Sequence, residues 1–145
     1  MKKQIVVAVS GGFDPLHVGH VRMLKRAKKL GDKLVVIINN DHWLRAWKKR
    51  EPFMPDKERK EIIEAIGCAD RVILSSHKKN TDDRSVCKDL EKIKPDIFAN
   101  GGDRLLHNIP EVATCKKINC KMVFNIGRGG KIQSSSWLLE AYRKI

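Results

Sequence analysis

Short apolar runs, rich in β-branched residues, alternate along the chain with segments of helical periodicity. The runs lie at residues 5–9, 34–38, 72–74, 97–99 and 122–126. Strands that are apolar on both faces are typical of a parallel sheet, because helices cover both sides of such a sheet. The alternation therefore predicts an α/β fold, a Rossmann-like doubly wound sheet of about five parallel strands with flanking helices.

Helical spacing and turn residues divide the chain between these runs. Helices are predicted at residues 18–30, 55–66, 83–93 and 134–143, and loops at 40–52, 76–82 and 100–109. No repeat, low-complexity stretch or Pro/Gly/Ser-rich linker interrupts the pattern, so the 145 residues predict one domain over residues 1–145. Ligands of open α/β sheets bind where strands end at the carboxyl edge, so we expect function there.

Composition narrows the classes of function. Thirty Lys and Arg against 17 Asp and Glu give a formal net charge of +13, which favours anionic partners. The four cysteines, Cys68, Cys87, Cys115 and Cys120, form no CxxC pair and no metal-ligand spacing. Nothing at the start resembles a signal peptide, and no apolar run approaches the roughly 18 residues that span a bilayer. We expect a soluble cytoplasmic protein with reduced thiols and no membrane partner.

The first apolar run leads directly into GGFDPLHVGH, residues 11–20. Gly11 and Gly12 lack a Cβ and let a polyanion approach the backbone, while a helix that begins near residue 17 directs free N–H groups to the same space. His17 and His20 are three residues apart, which places both imidazoles on one side of the first helical turn. Such donors suit phosphoryl chemistry, which depends on positioning and charge stabilisation.

The two histidines have two other interpretations. Histidines in a strand-to-helix turn often serve as caps or surface residues, and a pair at this spacing can form half of a zinc site. No cysteine or carboxylate stands at a spacing that would complete a zinc site, so no metal-binding residue is predicted.

The pattern GxFDxxHxGH resembles the signature of the cytidylyltransferase-like nucleotidyltransferase superfamily. The resemblance implies that His17 and His20 are catalytic: they contact the phosphates and stabilise the transition state as an acceptor's phosphate oxygen attacks the α-phosphorus. It also implies a set of nucleotide contacts around them, from Gly11, Gly12, Phe13 and Asp14.

Two basic segments extend the resemblance. In WKKR, residues 47–50, a lysine is expected to reach the triphosphate, with Lys48 the first choice as catalytic residue and Lys49 the second. The alternative is a solvated basic loop. The segment ERKEII, residues 58–63, resembles the family helix whose arginine turns toward the site, so Arg59 is a candidate phosphate ligand. Surface ion pairs with neighbouring glutamates are the alternative for this arginine.

The carboxyl-terminal third carries the remaining candidates. NGGD, residues 100–103, most resembles the sugar-phosphate branch, notably heptose-phosphate adenylyltransferases, and less closely glycerol-phosphate cytidylyltransferases. Nucleotide contacts are expected from Gly102, Asp103, Arg128, Ser134, Ser135 and Ser136. The Asp103 carboxylate suits a ribose hydroxyl, an acceptor hydroxyl or Mg²⁺, and the serines supply an N-cap and donors for phosphate. Arg128 lies one residue further from the serines than in the family, and Gln133 replaces the usual isoleucine.

The resemblance implies an enzyme that joins a nucleoside monophosphate from CTP or ATP to a phosphorylated sugar or polyol and releases pyrophosphate. Mg²⁺ is expected with the triphosphate. Asp41 and Trp43 are expected to contact the acceptor, and members of the family are commonly homodimers.

Three alternatives to this function remain. A pantetheine-phosphate or nicotinate-mononucleotide adenylyltransferase fits poorly after Ala99. A non-catalytic nucleotide sensor on the same fold is disfavoured by the intact HVGH. A basic nucleic-acid-binding module is disfavoured because aromatic residues are few.

Overall fold

The computed structural model describes residues 3–101, 109–124, 126 and 134–144. Five parallel strands form one sheet in the order β3-β2-β1-β4-β5. The strands are β1 (Val6–Gly11), β2 (Lys33–Ile38), β3 (Arg71–Leu74), β4 (Ile97–Ala99) and β5 (Lys121–Val123). The order confirms the predicted doubly wound sheet. It reverses direction between β1 and β4, so a crevice opens at their carboxyl ends.

Helices cover both faces of the sheet. Val7 and Val9 of β1 face Leu24 of α1 (Val18–Lys28) and Ile63 of α3 (Asp56–Ile66) in one buried cluster. Ala8, between the two valines, belongs to the other cluster with residues of α4 (Cys87–Ile93) and α5 (Glu111–Lys117). Successive side chains of a strand point to opposite faces, so a continuously apolar β1 fills both layers.

Two segments form helix where none was predicted. The segment 40–52 begins with α2 (Asp41–Trp43), which continues as a π-helical turn over Leu44–Lys48. The Asn40 side chain accepts a hydrogen bond from the Trp43 amide and so starts this helix. Helix α5 was not predicted, although Pro110 and Glu111 are helix-start signals.

The bounds of two other elements differ from the prediction by three residues or more. Helix α4 starts four residues later than predicted, because the Asp83 carboxylate accepts from both the amide and the hydroxyl of Ser85 and closes a turn there. Strand β5 ends at Val123, whereas its predicted run extends to residue 126. The last helix, α6, spans Ser135–Arg143 and agrees with the prediction.

Three aspartates, each directly before a strand, accept a hydrogen bond from a backbone amide at or next to the start of a neighbouring strand. The pairs are Asp32 with Ile5 N at 2.7 Å, Asp70 with Leu34 N at 2.8 Å, and Asp96 with Val6 N at 2.8 Å. The Lys28 ammonium is the main cause of the lowered pKa of Asp70, and the Val6 amide lowers the pKa of Asp96. These carboxylates bind backbone amides at the amino edge of the sheet. The carboxyl edge, at the other end of the strands, is therefore where ligands are expected. In the part of the chain that the structure describes, no helix is long and apolar enough to cross a bilayer.

Candidate active site

In the turn after β1, a phenylalanine adopts the strained left-handed backbone conformation. Phe13 has a φ of +53° and a side chain that is buried in the core, in edge contact with the His20 ring at 4.9 Å. Of the described glycines only Gly67 has a positive φ, so Gly11 and Gly12 do not bear this strain. Any contact of Phe13 with a nucleotide must therefore come from its backbone, because its ring is committed to the core.

Helix α1 starts on the two histidines themselves. His17 is the N-cap residue, and its Nδ1 accepts a hydrogen bond from the Gly19 amide at 3.1 Å. The His17 amide in turn donates to Nδ1 of His20 at 3.3 Å, which completes a reciprocal capping box. The two rings stack with centroids 3.7 Å apart. The capping interpretation is thus correct for one nitrogen of each ring, and it leaves the other nitrogen for a ligand.

Hydrogen bonding and burial define the protonation state of this pair. Because Nδ1 accepts in both rings, the ring proton of each neutral imidazole lies on Nε2. Burial lowers the pKa of His17. Burial, and next the charge of His17, lowers the pKa of His20 to about 3. At neutral pH both rings are uncharged Nε2–H donors beside the positive end of the α1 dipole, an arrangement that suits the oxygens of a phosphate.

Arg59 supports the site from below and has no exposed surface. Its guanidinium donates to the carbonyl oxygens of Gly12 at 2.6 Å, Asn39 at 2.7 Å and Met54 at 2.9 Å, and to the Asp41 carboxylate at 2.7 Å. The alternative prediction for Arg59, surface ion pairs with neighbouring glutamates, is therefore wrong. Arg59 acts on the turn through the Gly12 carbonyl, and its direct contact with a nucleotide stays a prediction that its burial opposes.

A buried carboxylate ties the basic loop to the same turn. Asp14 is 2% exposed and accepts from Arg50 Nη1 at 2.7 Å and from the amides of Phe53 and Met54 at 2.7 and 2.6 Å. Arg50 also donates to the Asp14 carbonyl at 2.8 Å. Asp14 is thus engaged within the protein, and the loop that carries the lysines is anchored to the HVGH turn. The sequence analysis did not identify Arg50 as part of the site.

Lys48 and Lys49 are both exposed and directly precede this anchor. Lys48 closes the π-helical turn with its ammonium 5.9 Å from the centre of the Trp43 ring. Lys49 adopts a left-handed conformation with a φ of +56°, which ends that turn. The geometry keeps both lysines next to the site and leaves both as candidates for the triphosphate.

Asp41 and Trp43, the two residues predicted to contact the acceptor, already bind other groups of the protein. The Asp41 carboxylate receives Arg59 and the Asp56 amide, and the Trp43 indole is 8% exposed and donates to the Arg84 carbonyl at 2.9 Å. Beside them, the loops that follow β2 and β3 line an open cavity of about 440 Å³. Its lining residues are His42, Arg45, Ala46, Glu51, Lys79 and Asn80. The cavity was not predicted, because its walls come from loops that are distant in sequence.

Two buried amide oxygens flank the end of β1. Asn39 follows β2 and Asn100 follows β4, and within the described ranges neither Oδ1 atom has a hydrogen-bond partner. A buried oxygen without a partner destabilises a protein by about 1–3 kcal/mol unless a ligand or water satisfies it. Both lie beside strands that border β1, and no signal in the sequence distinguishes them from other asparagines. The predicted nucleotide contacts Gly102, Asp103 and Arg128 lie outside the described residues.

The last helix begins against the same turn. The Ser135 hydroxyl donates to the Pro15 carbonyl at 2.7 Å, across 120 positions of sequence. Ser134 is buried at the N-cap of α6, and Ser136 is exposed. Ser135 therefore lies against the HVGH turn with its hydroxyl proton bound to the backbone, and the contacts of the three serines with a nucleotide stay predictions.

The chain is similar in sequence to known nucleotidyltransferases and FAD synthases. A sequence profile described as cytidylyltransferase-like matches residues 8–136. An FAD synthase of Thermococcus kodakarensis is 42% identical over 73% of this chain and 68% of its own. The chain spans about two thirds of the length of such relatives. It covers 65% of the FAD synthase of Thermococcus onnurineus and 61% of that of Ferroglobus placidus.

Further matches agree in fold and family. The bifunctional protein HldE of Citrifermentans bemidjiense is 39% identical over 72% of this chain and 20% of its own. The crystal structure of a lipopolysaccharide core biosynthesis protein from Thermoplasma volcanium superposes with a TM-score of 0.68 at 33% identity, covering 85% of this chain and 97% of its own. The chain belongs to the cytidylyltransferase-like family of nucleotidyltransferase enzymes.

Proposed function

We propose that this protein transfers a nucleotidyl group from ATP or CTP to the phosphate of a small acceptor. The observation that carries the proposal is the stacked pair His17 and His20, two neutral Nε2–H donors at the start of α1. An acceptor phosphate oxygen attacks the α-phosphorus and forms a new P–O bond. The bond to the β-phosphate oxygen breaks, and pyrophosphate leaves with the electron pair. The acceptor phosphate is already anionic, so the step needs no general base, and the histidines stabilise charge on the α-phosphate oxygens.

The other contacts are assigned by position. The backbone of Gly11 and Gly12 and the amides at the start of α1 face the phosphates. Lys48 or Lys49 reaches the β- and γ-phosphates from the loop that Arg50 anchors. Ser135 and Ser136 approach the phosphates from the start of α6, which lies against Pro15. Contacts from Gly102, Asp103 and Arg128 rest on the family resemblance alone.

Mg²⁺ is proposed to enter with the triphosphate. In the described part of the chain no three His, Cys, Asp or Glu side chains are grouped to hold a metal ion. The carboxylate closest in sequence to HVGH, that of Asp14, already accepts three hydrogen bonds. These residues do not fit a resident metal ion, so the proposed metal is held by the phosphates, and no step here is assigned to it.

Two acceptor classes are supported, each by a specific likeness. The name of the FAD synthases supports ATP as donor with flavin mononucleotide (FMN) as acceptor, since FAD consists of an adenylyl group joined through a pyrophosphate link to that flavin phosphate. The likeness to HldE and the NGGD segment support a phosphorylated sugar, as the sequence analysis predicts, with a phosphorylated polyol as its less close variant. We place the acceptor in the cavity between the loops after β2 and β3, because these loops rise from the same edge of the sheet as the HVGH turn.

A substrate matrix tests the proposal. Pyrophosphate release is measured for ATP and CTP, each against FMN, heptose 1-phosphate, glycerol 3-phosphate and phosphopantetheine, and products are identified by mass. We expect release with one triphosphate and one acceptor class, well above the same matrix run with His17→Asn. Equal release from both proteins with every pair would contradict the proposal. Release with phosphopantetheine alone would assign the protein to the competing adenylyltransferase class.

A further inference from the structure

A buried histidine outside HVGH organises the opposite side of the candidate site. His77 lies in the loop between β3 and α4 and is 9% exposed. Its Nε2 is 2.7 Å from the Ser85 carbonyl oxygen, and its Nδ1 is 2.7 Å from the Ser75 hydroxyl. A carbonyl oxygen only accepts, so the ring proton lies on Nε2, and Nδ1 accepts from the hydroxyl of Ser75. Both ring nitrogens of His77 are therefore committed to the fold of this one loop.

The same network reaches the loop after β2. The Asn40 amide donates to the Ser75 hydroxyl oxygen at 3.0 Å. The Asn40 side-chain nitrogen donates to the carbonyl oxygens of Ser75 at 3.0 Å and His77 at 2.8 Å. At the other end of the loop, the Trp43 indole donates to the carbonyl oxygen of Arg84. A buried polar network in which each member is satisfied rigidifies the segments it joins.

These two loops are the walls of the cavity. His42 and Arg45 come from the loop after β2, and Lys79 and Asn80 come from the loop that His77 folds. One wall is the short helix α2 with its π-helical turn and the other is an irregular loop, so the spacing between the walls depends on the hydrogen bonds that join them. In the part of the chain that the structure describes, the His77 ring makes polar contacts only with Ser75 and Ser85, which lie in the same loop.

We infer that His77 is a positioning residue that holds Lys79 and Asn80 across the cavity from His42 and Arg45 and so sets the affinity for the acceptor. This inference rests on the proposed function, in which the cavity takes the acceptor. His77 acts through the backbone of its loop and does not contact the substrate.

Steady-state kinetics with ATP and FMN separate this role from a general structural one. In His77→Ala we expect the KM for FMN to rise about tenfold while the KM for ATP and kcat change less than about twofold. Ser75→Ala preserves packing and removes the shared hydroxyl, and the double variant should lose little more than either single variant, because the two side chains act as one unit. Lys78→Ala, an exposed neighbour outside the network, is the matched control and should match the wild type. An equal rise in both KM values, or additive losses in the double variant, would overturn the inference.

Hydrogen exchange of the free protein tests the network without turnover. His77→Ala should accelerate amide exchange in residues 39–48 and 75–86 and leave residues 6–11 and 18–28 unchanged. Faster exchange confined to residues 75–86 would show that the ring does not hold the two walls together, and the inference would fail. If the wild type transfers nothing from ATP to FMN, that choice of acceptor is wrong, whereas the exchange result still decides the role of His77.

Discussion

His17 uses its two ring nitrogens for different tasks. Nδ1 caps α1 by accepting from the Gly19 amide, and Nε2–H is left as a donor beside the helix terminus. The spacing of the two histidines predicts the donor at Nε2, and capping was an alternative interpretation of the same residue. The geometry shows that they are compatible, because an imidazole carries an acceptor and a donor on separate atoms. For this residue, fold and chemistry can therefore be separated by substitution.

His17→Asn is expected to separate them. An asparagine oxygen caps a helix nearly as well as any side chain, but the shorter amide does not reach the position of Nε2. We expect turnover to fall about 10²- to 10³-fold, the scale for loss of one preorganised donor, with a thermal midpoint close to the wild type. His17→Ala, which loses the cap and the donor together, should have both a lower turnover and a lower thermal midpoint than the wild type. Turnover of His17→Asn near the wild-type value would contradict the proposed role.

The buried His20 makes stability depend on pH. Its pKa is about 3 in the folded protein against 6.5 as its ordinary value, so the unfolded chain takes up the proton first as the pH falls. The stabilisation is complete above about pH 6.5 and is lost as the pH falls toward 3. Urea midpoints at pH 7 and pH 5 should differ clearly in the wild type and less in His20→Gln. The measured interval, pH 7 to pH 5, lies above the ordinary pKa values of aspartate and glutamate, about 3.9 and 4.3. Equal losses in the two proteins would show that His20 is not the cause.

At the scale of elements, the β1–turn–α1 unit was predictable and the loops around it were not. A strand that ends in two glycines before a capped, amphipathic helix has strong local signals. Helix α2 and its π-helical turn lack such periodicity, and their start depends on Asn40, which is held by Ser75 of another loop. Helix α5 carries start signals at Pro110 and Glu111 but spans only seven residues. Short elements that depend on distant partners are the ones that the sequence pattern did not predict.

Gly31 shows how closely two elements approach. It lies in the turn between α1 and β2. A Cβ added there would lie 2.8 Å from the Ile5 carbonyl oxygen and from Val7 Cγ2. Gly31→Ala should therefore destabilise the protein by about 1–3 kcal/mol in urea denaturation, the range for overpacking. Gly12→Ala is the matched comparison, since its Cβ would meet only Leu44 Cδ2 at 3.6 Å, and it should unfold near the wild-type midpoint. Equal midpoints for the two variants would rule out the close approach.

At the scale of the whole molecule, the net charge of +13 is the dominant property. Its described ion pairs are mostly exposed at one or both partners, such as Lys3–Asp96 and Lys117–Glu91, and exposed pairs contribute little to stability. The excess of lysine and arginine instead creates a positive field, which raises the rate of encounter with a triphosphate.

Raising the ionic strength should reveal this steering. Between about 50 and 300 mM salt we expect kcat/KM for the triphosphate to fall several-fold while kcat stays nearly constant, because screening slows encounter and leaves the bound geometry unchanged. The measurement is repeated with potassium chloride and sodium chloride, to exclude an effect of one ion. If kcat falls in step with kcat/KM, the salt acts on the site itself and the steering explanation fails. A nucleic-acid-binding module would instead hold oligonucleotides tightly at low salt, and free ATP or CTP would not displace them.

The parallel sheet, the family and the HVGH turn follow from the amino-acid sequence alone, because these depend on local periodicity, on glycines and on the spacing of two histidines within one helical turn. Tertiary packing sets what the side chains around that turn do. It buried Arg59 beneath Gly12 and engaged Asp14 with Arg50. It also joined the loops after β2 and β3 through His77. Such contacts join residues 20 to 47 positions apart or belong to irregular loops, and their partners are chosen by the packing of strands and helices, which no local pattern records.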